Sequence, residues 1–289
     1  MNIFEDTKRV LGKKVKYTGH YDHKLLHAID RYESSDIRKR KVYGFDIWNA
    51  YELSWLNQNG MPKVAIAKII VPIDTQKIVE SKSMKLYLNS FNDTTFDSSE
   101  QVASIITKDL VNILKNDIKV EIYDFSLSQN DKVNISSYND EKWELLDTRN
   151  LSISWTNIQT PRKDLIKLNN DHLVSHEKDA IKKDVIVYSN LLKSNCLITN
   201  QPDFATIVIK YNGVLIDHDS LLRYIVSFRH HNAFHEKCID TIYSSIMDVC
   251  DPKELLVHAH YTRRGGIDIC PYRSSYPISH EIYERFIRQ

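Results

Sequence analysis

The sequence predicts an α+β protein made of two successive modules, each an antiparallel sheet with helices packed on one face. Three observations carry that reading. β-rich runs, an amphipathic helix and a further β-rich run occur in that order before residue 126, and the order recurs after residue 180. Asn-Gly pairs, which favour tight hairpin turns, stand at 59–60 and 212–213 beside such runs. Glycine is scarce, 7 residues, and no Gly-rich fingerprint for dinucleotides or phosphates is present, so any nucleotide is bound by a different kind of fold.

The chain has 289 residues, enough for two domains, with 42% hydrophobic and 27% charged residues. A net charge of +1 gives no broad basic field, so contact with a nucleic-acid backbone is not expected. No apolar run reaches the ~20 residues of a membrane span, and MNIFEDTKRVLGKK lacks the apolar centre of a signal peptide. Four cysteines (Cys196, Cys238, Cys250 and Cys270) without an export signal point to free thiols in a reducing cytoplasm.

Residues 1–40 are polar and lead into the basic run Arg38 to Lys41, read as a solvated face or loop. YGFDIWNAYELSWLN (43–57) and VAIAKIIV (64–71) read as a strand pair across Asn59-Gly60, ended by Pro72. The run 79–93 follows. Ser98 or Ser99 then caps a helix carrying Val102, Ile105, Ile106, Leu110, Ile113 and Leu114 on one side. Ile118 to Phe125 is a strand. Residues 126–180 are polar, with 151–158 as a strand candidate, and the module junction is placed there, giving 1–150 and 151–289. In the second module 185–192 and 206–211 are strands. Asp219 or Ser220 caps a helix through Phe228, interrupted or continued at 229–232, and helical spacing resumes over 234–250 until Asp251-Pro252. Leu255 to Thr262 is a strand, Arg263-Arg264-Gly265-Gly266 a basic turn, and Ile267 begins the next strand.

Four runs bear chemistry. LLKSNCLITNQPD (191–203) places Cys196 before a Pro-marked turn that brings Asp203 back toward it. A thiolate is the strong nucleophile among side chains, and a nearby acid can protonate the atom that gains electrons when sulfur attacks. A lone cysteine in a chain of this size is more often a buried small hydrophobe. The ESKS run holds Glu80, Ser81, Lys82 and Ser83, either an exposed strand edge kept soluble by charge or a polar ligand site at the mouth of a strand. SFRHHNAFHEKC (227–238) contains Glu236, whose carboxylate at a helix N-terminus would point outward and suits the paired donors on one edge of a guanine-like ring. A zinc set of His231, His235, Cys238 and Cys196 ranks low because no CxxC pair defines a spacing. In YTRRGGIDICPYRSS (261–275), Arg263 and Arg264 beside glycine amides suit phosphates, including the extra phosphate of NADPH; taken alone, the run is more often a charged hairpin turn.

Together, ESKSMKLYLNSFN, LLKSNCLITNQPD, LLRYIVSFRHHNAFHEKC and YTRRGGIDICPYRS resemble the QueF family, NADPH-dependent 7-cyano-7-deazaguanine reductases of the long, two-module type. The resemblance implies two tandem T-folds (tunnelling-fold modules) and a homodimer or other homo-oligomer with sites between modules or subunits. It implies cytoplasmic reduction of a nitrile to a primary amine through a thioimide, on the path to queuosine in transfer RNA. By the same resemblance Cys196 is the nucleophile and Asp203 the acid. Val79, Glu80, Ser81, His235 and Glu236 bind the substrate, Ser81, Lys82, Arg264 and Gly265 face NADPH, and no metal is expected. One departure is visible: IDICPYRS carries Cys270 where the family pattern has asparagine, which bears on local packing more than on activity. Two other readings remain open, a metal-dependent pterin or purine hydrolase of the same fold and a non-catalytic purine-binding module.

Overall fold

The computed structural model describes residues 19–31, 37, 40–124, 143–153, 160–169, 181–280, 286 and 288–289. They gather into two compact units, one holding 19–31, 45–124 and 263–269, the other holding 37, 40–44, 143–153, 160–169, 181–262, 270–280, 286 and 288–289. Of the strand candidate at 151–158, residues 151–153 are not strand and the rest lies outside the described residues, as does most of 126–180.

In the first unit, β1 (Ala28–Asp30) pairs antiparallel with β4 (Lys77–Val79). β2 (Tyr43–Leu56), whose residues 43–44 group with the second unit, pairs antiparallel from Phe45 with β3 (Pro62–Pro72), and β3 with β5 (Lys119–Asp124). The β2–β3 turn is held by Asn57, whose Oδ1 accepts from the backbone N–H of Asn59 and Met61 at 2.9 and 3.0 Å. Gly60 takes φ +72° there, a conformation in which a side chain is strained. α1 (Ser81–Asn89) and α2 (Ser99–Leu114) supply one side of the core. Val102, Ile106, Leu110 and Leu114 recur at helical spacing and pack with Trp48, Ala65, Ala67 and Ile69 of the strands. Ser98 caps α2, its hydroxyl accepting from the N–H of Gln101 at 3.2 Å.

The ESKS run is corrected by the structure. It is not a strand edge but the start of α1, because Glu80 is the N-cap and its carboxylate takes the N–H groups of Lys82 and Ser83. The apolar positions Met84, Tyr87 and Leu88, three and four residues apart, then face the core.

In the second unit, β7 (Ile181–Asn195), β8 (Pro202–Val214), β9 (Glu254–Tyr261) and β10 (Ile267–Ser274) pair antiparallel in turn, residues 267–269 grouping with the first unit. β6 (Trp143–Leu145) adds to β7 in parallel. α3 (His218–Val226), a short 3-10 turn (Ser227–His230) and α4 (His235–Cys250) cover one face. Leu221, Leu222, Ile225, Ile239, Ile242 and Ile246 pack there with Val187, Ile207, Ile209, Val257 and Ala259. The cap of α3 is Asp217 rather than Asp219 or Ser220, since its Oδ1 accepts from the N–H of Ser220 at 2.9 Å. Each unit thus shows the expected antiparallel strands with a helix pair on one face.

Strand alternation sends His258 and His260 of β9 to the face away from the helices. His258 Nδ1 lies 3.0 Å from His260 Nε2 and its ring stacks on Tyr272 with centroids 4.6 Å apart. Both histidines are buried, and burial pushes His258 down to about 3 and His260 well below its ordinary value. Cys270 is fully buried, 4.0 Å from Gln289 Nε2, so the residue that departs from the family pattern fills interior volume.

Candidate active site

In the second unit the site is built on the β7–β8 hairpin. Ser194 pairs with Asp203 and Asn195 with Pro202. The connecting turn is closed at Cys196, whose N–H donates to the Gln201 carbonyl at 2.8 Å and whose carbonyl accepts from the Asn200 N–H at 3.0 Å. Asn200 adopts φ +55°, which asparagine tolerates better than most side chains. Ser194 and Asp203, directly paired, point to one face of the sheet, and Cys196 begins the turn that follows β7. Cys196 is a half-buried free thiol, and Asp203 is 4% exposed.

The segment before α4 is stitched to this hairpin. Asn195 N–H donates to the His231 carbonyl at 2.8 Å, and Ala233 N–H donates to the Asn195 carbonyl at 3.1 Å. Asn232 Nδ2 donates to Asn200 Oδ1 at 2.8 Å. Lys193 Nζ reaches the Arg229 carbonyl at 2.6 Å and Asn195 Oδ1 at 2.5 Å; burial and the Arg229 charge lower its pKa. These bonds fix the start of α4, whose first residue, His235, places Nε2 3.3 Å from Asp203 Oδ2. Glu236, next along, is 4% exposed, so its carboxylate points into the protein and not outward as the sequence suggested. A carboxylate in the first turn of a helix is favoured by the helix dipole. His231 is held below its ordinary pKa by burial and by Lys237.

In the first unit, Glu80 is 6% exposed and each carboxylate oxygen accepts one backbone N–H, Lys82 at 2.9 Å and Ser83 at 2.8 Å. Its own N–H donates to the His27 carbonyl at 2.9 Å, which anchors the end of β4. Val79 is buried, Ser81 exposed and Lys82 half-buried. Lys85, three residues beyond Lys82 on the same side of α1, donates to the Gly265 carbonyl at 2.8 Å and pairs with Glu52 at 3.2 Å. The basic turn is a two-residue connection. Gly265 and Gly266 have φ +59° and +76°, and Arg264 and Ile267 exchange backbone hydrogen bonds at 2.8 and 3.2 Å. Arg263 stacks over Tyr51 at 4.0 Å, and the Tyr51 hydroxyl donates to Asp268 at 2.6 Å. The ESKS helix and the RRGG turn are therefore neighbours, and Ser81, Lys82, Arg264 and Gly265 lie on them.

The structure thus brings Cys196, Asp203, His235 and Glu236 together in one unit, and Glu80, Ser81, Lys82, Arg264 and Gly265 in the other. Sequence reasoning missed Ser194 and Tyr261 behind the acid, and Lys85 beside the basic turn. Only their positions inside the four dense runs hinted at them.

A family model described as nitrile reductase, 7-cyano-7-deazaguanine-reductase N-term, matches residues 17–122, and a second, described as QueF-like protein, matches 202–278. Together they span more than half of the chain. The chain belongs to the QueF family. It is accordingly a reductase of the QueF type, a nitrile-reducing oxidoreductase of queuosine biosynthesis. Among solved structures, the apo crystal structure of the archaeosine synthase QueF-Like is similar at 12% identity, covering 36% of this chain and 100% of that one, with a TM-score of 0.31. Among the described residues no helix is long and apolar enough to cross a membrane.

Proposed function

We propose that this QueF-family protein reduces the nitrile of 7-cyano-7-deazaguanine to the primary amine of 7-aminomethyl-7-deazaguanine, with NADPH as hydride donor and Cys196 as covalent nucleophile. The observation that carries the reading is the hairpin that turns at Cys196 and returns Asp203 opposite Ser194, with His235 against the carboxylate.

The Cys196 sulfur, as thiolate, forms a bond to the nitrile carbon. One π pair of the C≡N bond moves to nitrogen, which takes a proton from Asp203. The product is a thioimide, S–C(=NH), more ready to accept hydride than the nitrile. His235 beside Asp203 orients the carboxyl that carries the proton. Glu236, and Glu80 with Val79 and Ser81, hold the purine-like ring, a carboxylate matching the paired N–H donors on its edge. Burial of Asp203 and Glu236 keeps water from the thioimide, which hydrolysis would otherwise consume. For release from the protein, the nitrogen lone pair forms a C=N bond to the same carbon as the C–S bond breaks and its electron pair returns to the Cys196 sulfur.

The residues of the first unit fit NADPH. Gly265 exposes its backbone, and a Cβ added there would stand 2.8 Å from Lys85 Cδ, while Lys82 and Arg264 bring positive charge suited to phosphate. When bound, NADPH supplies hydride, and reaching the amine from the nitrile requires two. Two modules with their junction within residues 126–180, a homodimer and a cytoplasmic location complete the proposal. It is tested by turnover with 7-cyano-7-deazaguanine. Two NADPH should be oxidised per amine formed, none by Cys196→Ala, and Asp203→Asn should bind substrate but form the adduct slowly. A Cys196→Ala protein that reduces the nitrile at the parental rate removes the mechanism.

A further inference from the structure

Behind the acid pair lies an aromatic ring to which nothing above assigns a role. Tyr261, the last residue of β9, is fully buried and pairs across the sheet with Ala205 of β8. Asp203 is two residues before Ala205, so Asp203 and Tyr261 share one face of the sheet as diagonal neighbours. Ala205 is small and leaves room for the tyrosine ring to lean toward Asp203. The ring lies flat on the His235 imidazole, with centroids 3.8 Å apart and planes 8° from parallel. Its hydroxyl interacts with Ser194 and the Cys238 thiol, both buried.

We infer that Tyr261 is a positioning residue of the nitrile reduction: its ring is the flat support that fixes the plane of His235 and so aims Nε2 at Asp203. The inference rests on the function proposed above and names the element that makes its acid effective.

The physical argument starts from what holds His235. Its backbone is placed by the first turn of α4, but Phe234, the N-cap, contributes no side-chain cap bond there. Among the described residues the buried Nδ1 has no hydrogen-bond partner, and the 3.3 Å contact from Nε2 to Asp203 ties the ring to a polar group. One long contact leaves an imidazole free to rotate about χ2, a broad two-fold torsion. A coplanar ring at 3.8 Å removes that freedom by van der Waals contact over its whole area. Tyr261 cannot itself move away, because it is fully buried and ends a paired strand. The ring, and not the hydroxyl, does the positioning.

The test compares Tyr261→Phe, which keeps the ring, with Tyr261→Leu, which keeps apolar volume without it. The rate of covalent adduct formation with 7-cyano-7-deazaguanine is followed without NADPH, across pH, beside substrate affinity. Tyr261→Phe is expected within about threefold of the parent at every pH. Tyr261→Leu is expected to lose about tenfold or more in adduct rate and to shift the pH profile, with substrate affinity changed less than threefold, the pattern of a lost transition-state contact. In an Asp203→Asn background the leucine change should cost little more, since both act through one group. Tyr261→Met, whose flexible chain fills the gap without a ring, replaces the leucine variant if that does not fold. A parental rate and pH profile in the leucine or methionine variant overturns the inference. So does a large loss in Tyr261→Phe, or full additivity with Asp203→Asn. Absence of any adduct on the parent protein would instead overturn the proposed function itself.

Discussion

Glu80 has two tasks, and they can be separated. Each oxygen of its carboxylate accepts one orphan N–H of the first turn of α1, at 2.9 and 2.8 Å, in a site only 6% exposed. Glu80→Ala removes both bonds and leaves a buried donor at Ser83 and a part-buried one at Lys82 without this acceptor. Loss of an N-cap costs about 0.5–2 kcal/mol, and the charge on this acceptor and its burial place the loss near the top, about 2 kcal/mol. Glu80→Gln keeps one acceptor oxygen and loses about half as much. For a domain of this size about 2–4 °C of melting temperature accompanies each kcal/mol. Glu80→Ala should therefore melt about 4–8 °C below the parent, with Glu80→Gln between them. Differential scanning calorimetry reads this directly, and adduct formation measured well below the transition then reports the substrate contact alone. In that assay Glu80→Gln should bind 7-cyano-7-deazaguanine about tenfold more weakly. If the alanine variant melts with the parent, the capping argument fails; if the glutamine variant binds as tightly as the parent, the substrate role fails.

Two further outcomes are expected. His258 and His260 stay neutral in the folded protein far below the ordinary value of 6.5, whereas the unfolded chain takes up their protons once pH falls through it. Stability is therefore full above about pH 6.5 and declines toward pH 3, by about 1.4 kcal/mol per pH unit for each histidine. Urea unfolding should show about 2.5 kcal/mol less stability at pH 5.5 than at pH 7. His258→Phe, which keeps the stack on Tyr272, should flatten that slope by about half, and an unchanged slope contradicts the burial argument. Gly265→Ala forces a side chain into φ +59° and against Lys85, a strain of about 1–2 kcal/mol. It should raise KM for NADPH while leaving the cofactor-free adduct rate at the parental value; the reverse pattern would place the turn in substrate chemistry.

Much of the fold was legible because local signals agreed with the final packing. Ser98, the apolar stripe of α2 and the Asn59-Gly60 turn each act within a few residues of themselves. The ESKS run misled because its cap is a glutamate and its first turn is polar, which hides the Met84, Tyr87 and Leu88 stripe. Asp217 was missed as a cap because His218, Asp219 and Ser220 crowd the same turn with polar groups, and only the backbone geometry selects among them. For the site, residue types and resemblance picked out Cys196, Asp203, His235 and Glu236, but not their arrangement. Tyr261 lies twenty-six residues from the imidazole it supports. Lys85 meets Gly265 across a far longer gap. Such contacts are made by strand register and helix packing, which no local pattern in the chain records.

The central claim is that Cys196 attacks the nitrile while Asp203 protonates it. Intact mass measured after mixing the protein with 7-cyano-7-deazaguanine alone, with Cys196→Ala beside it, tests this most directly. The account predicts a covalent adduct equal to protein plus substrate on the parent and none on the variant. A folded parent protein that binds the substrate yet gains no mass would contradict it.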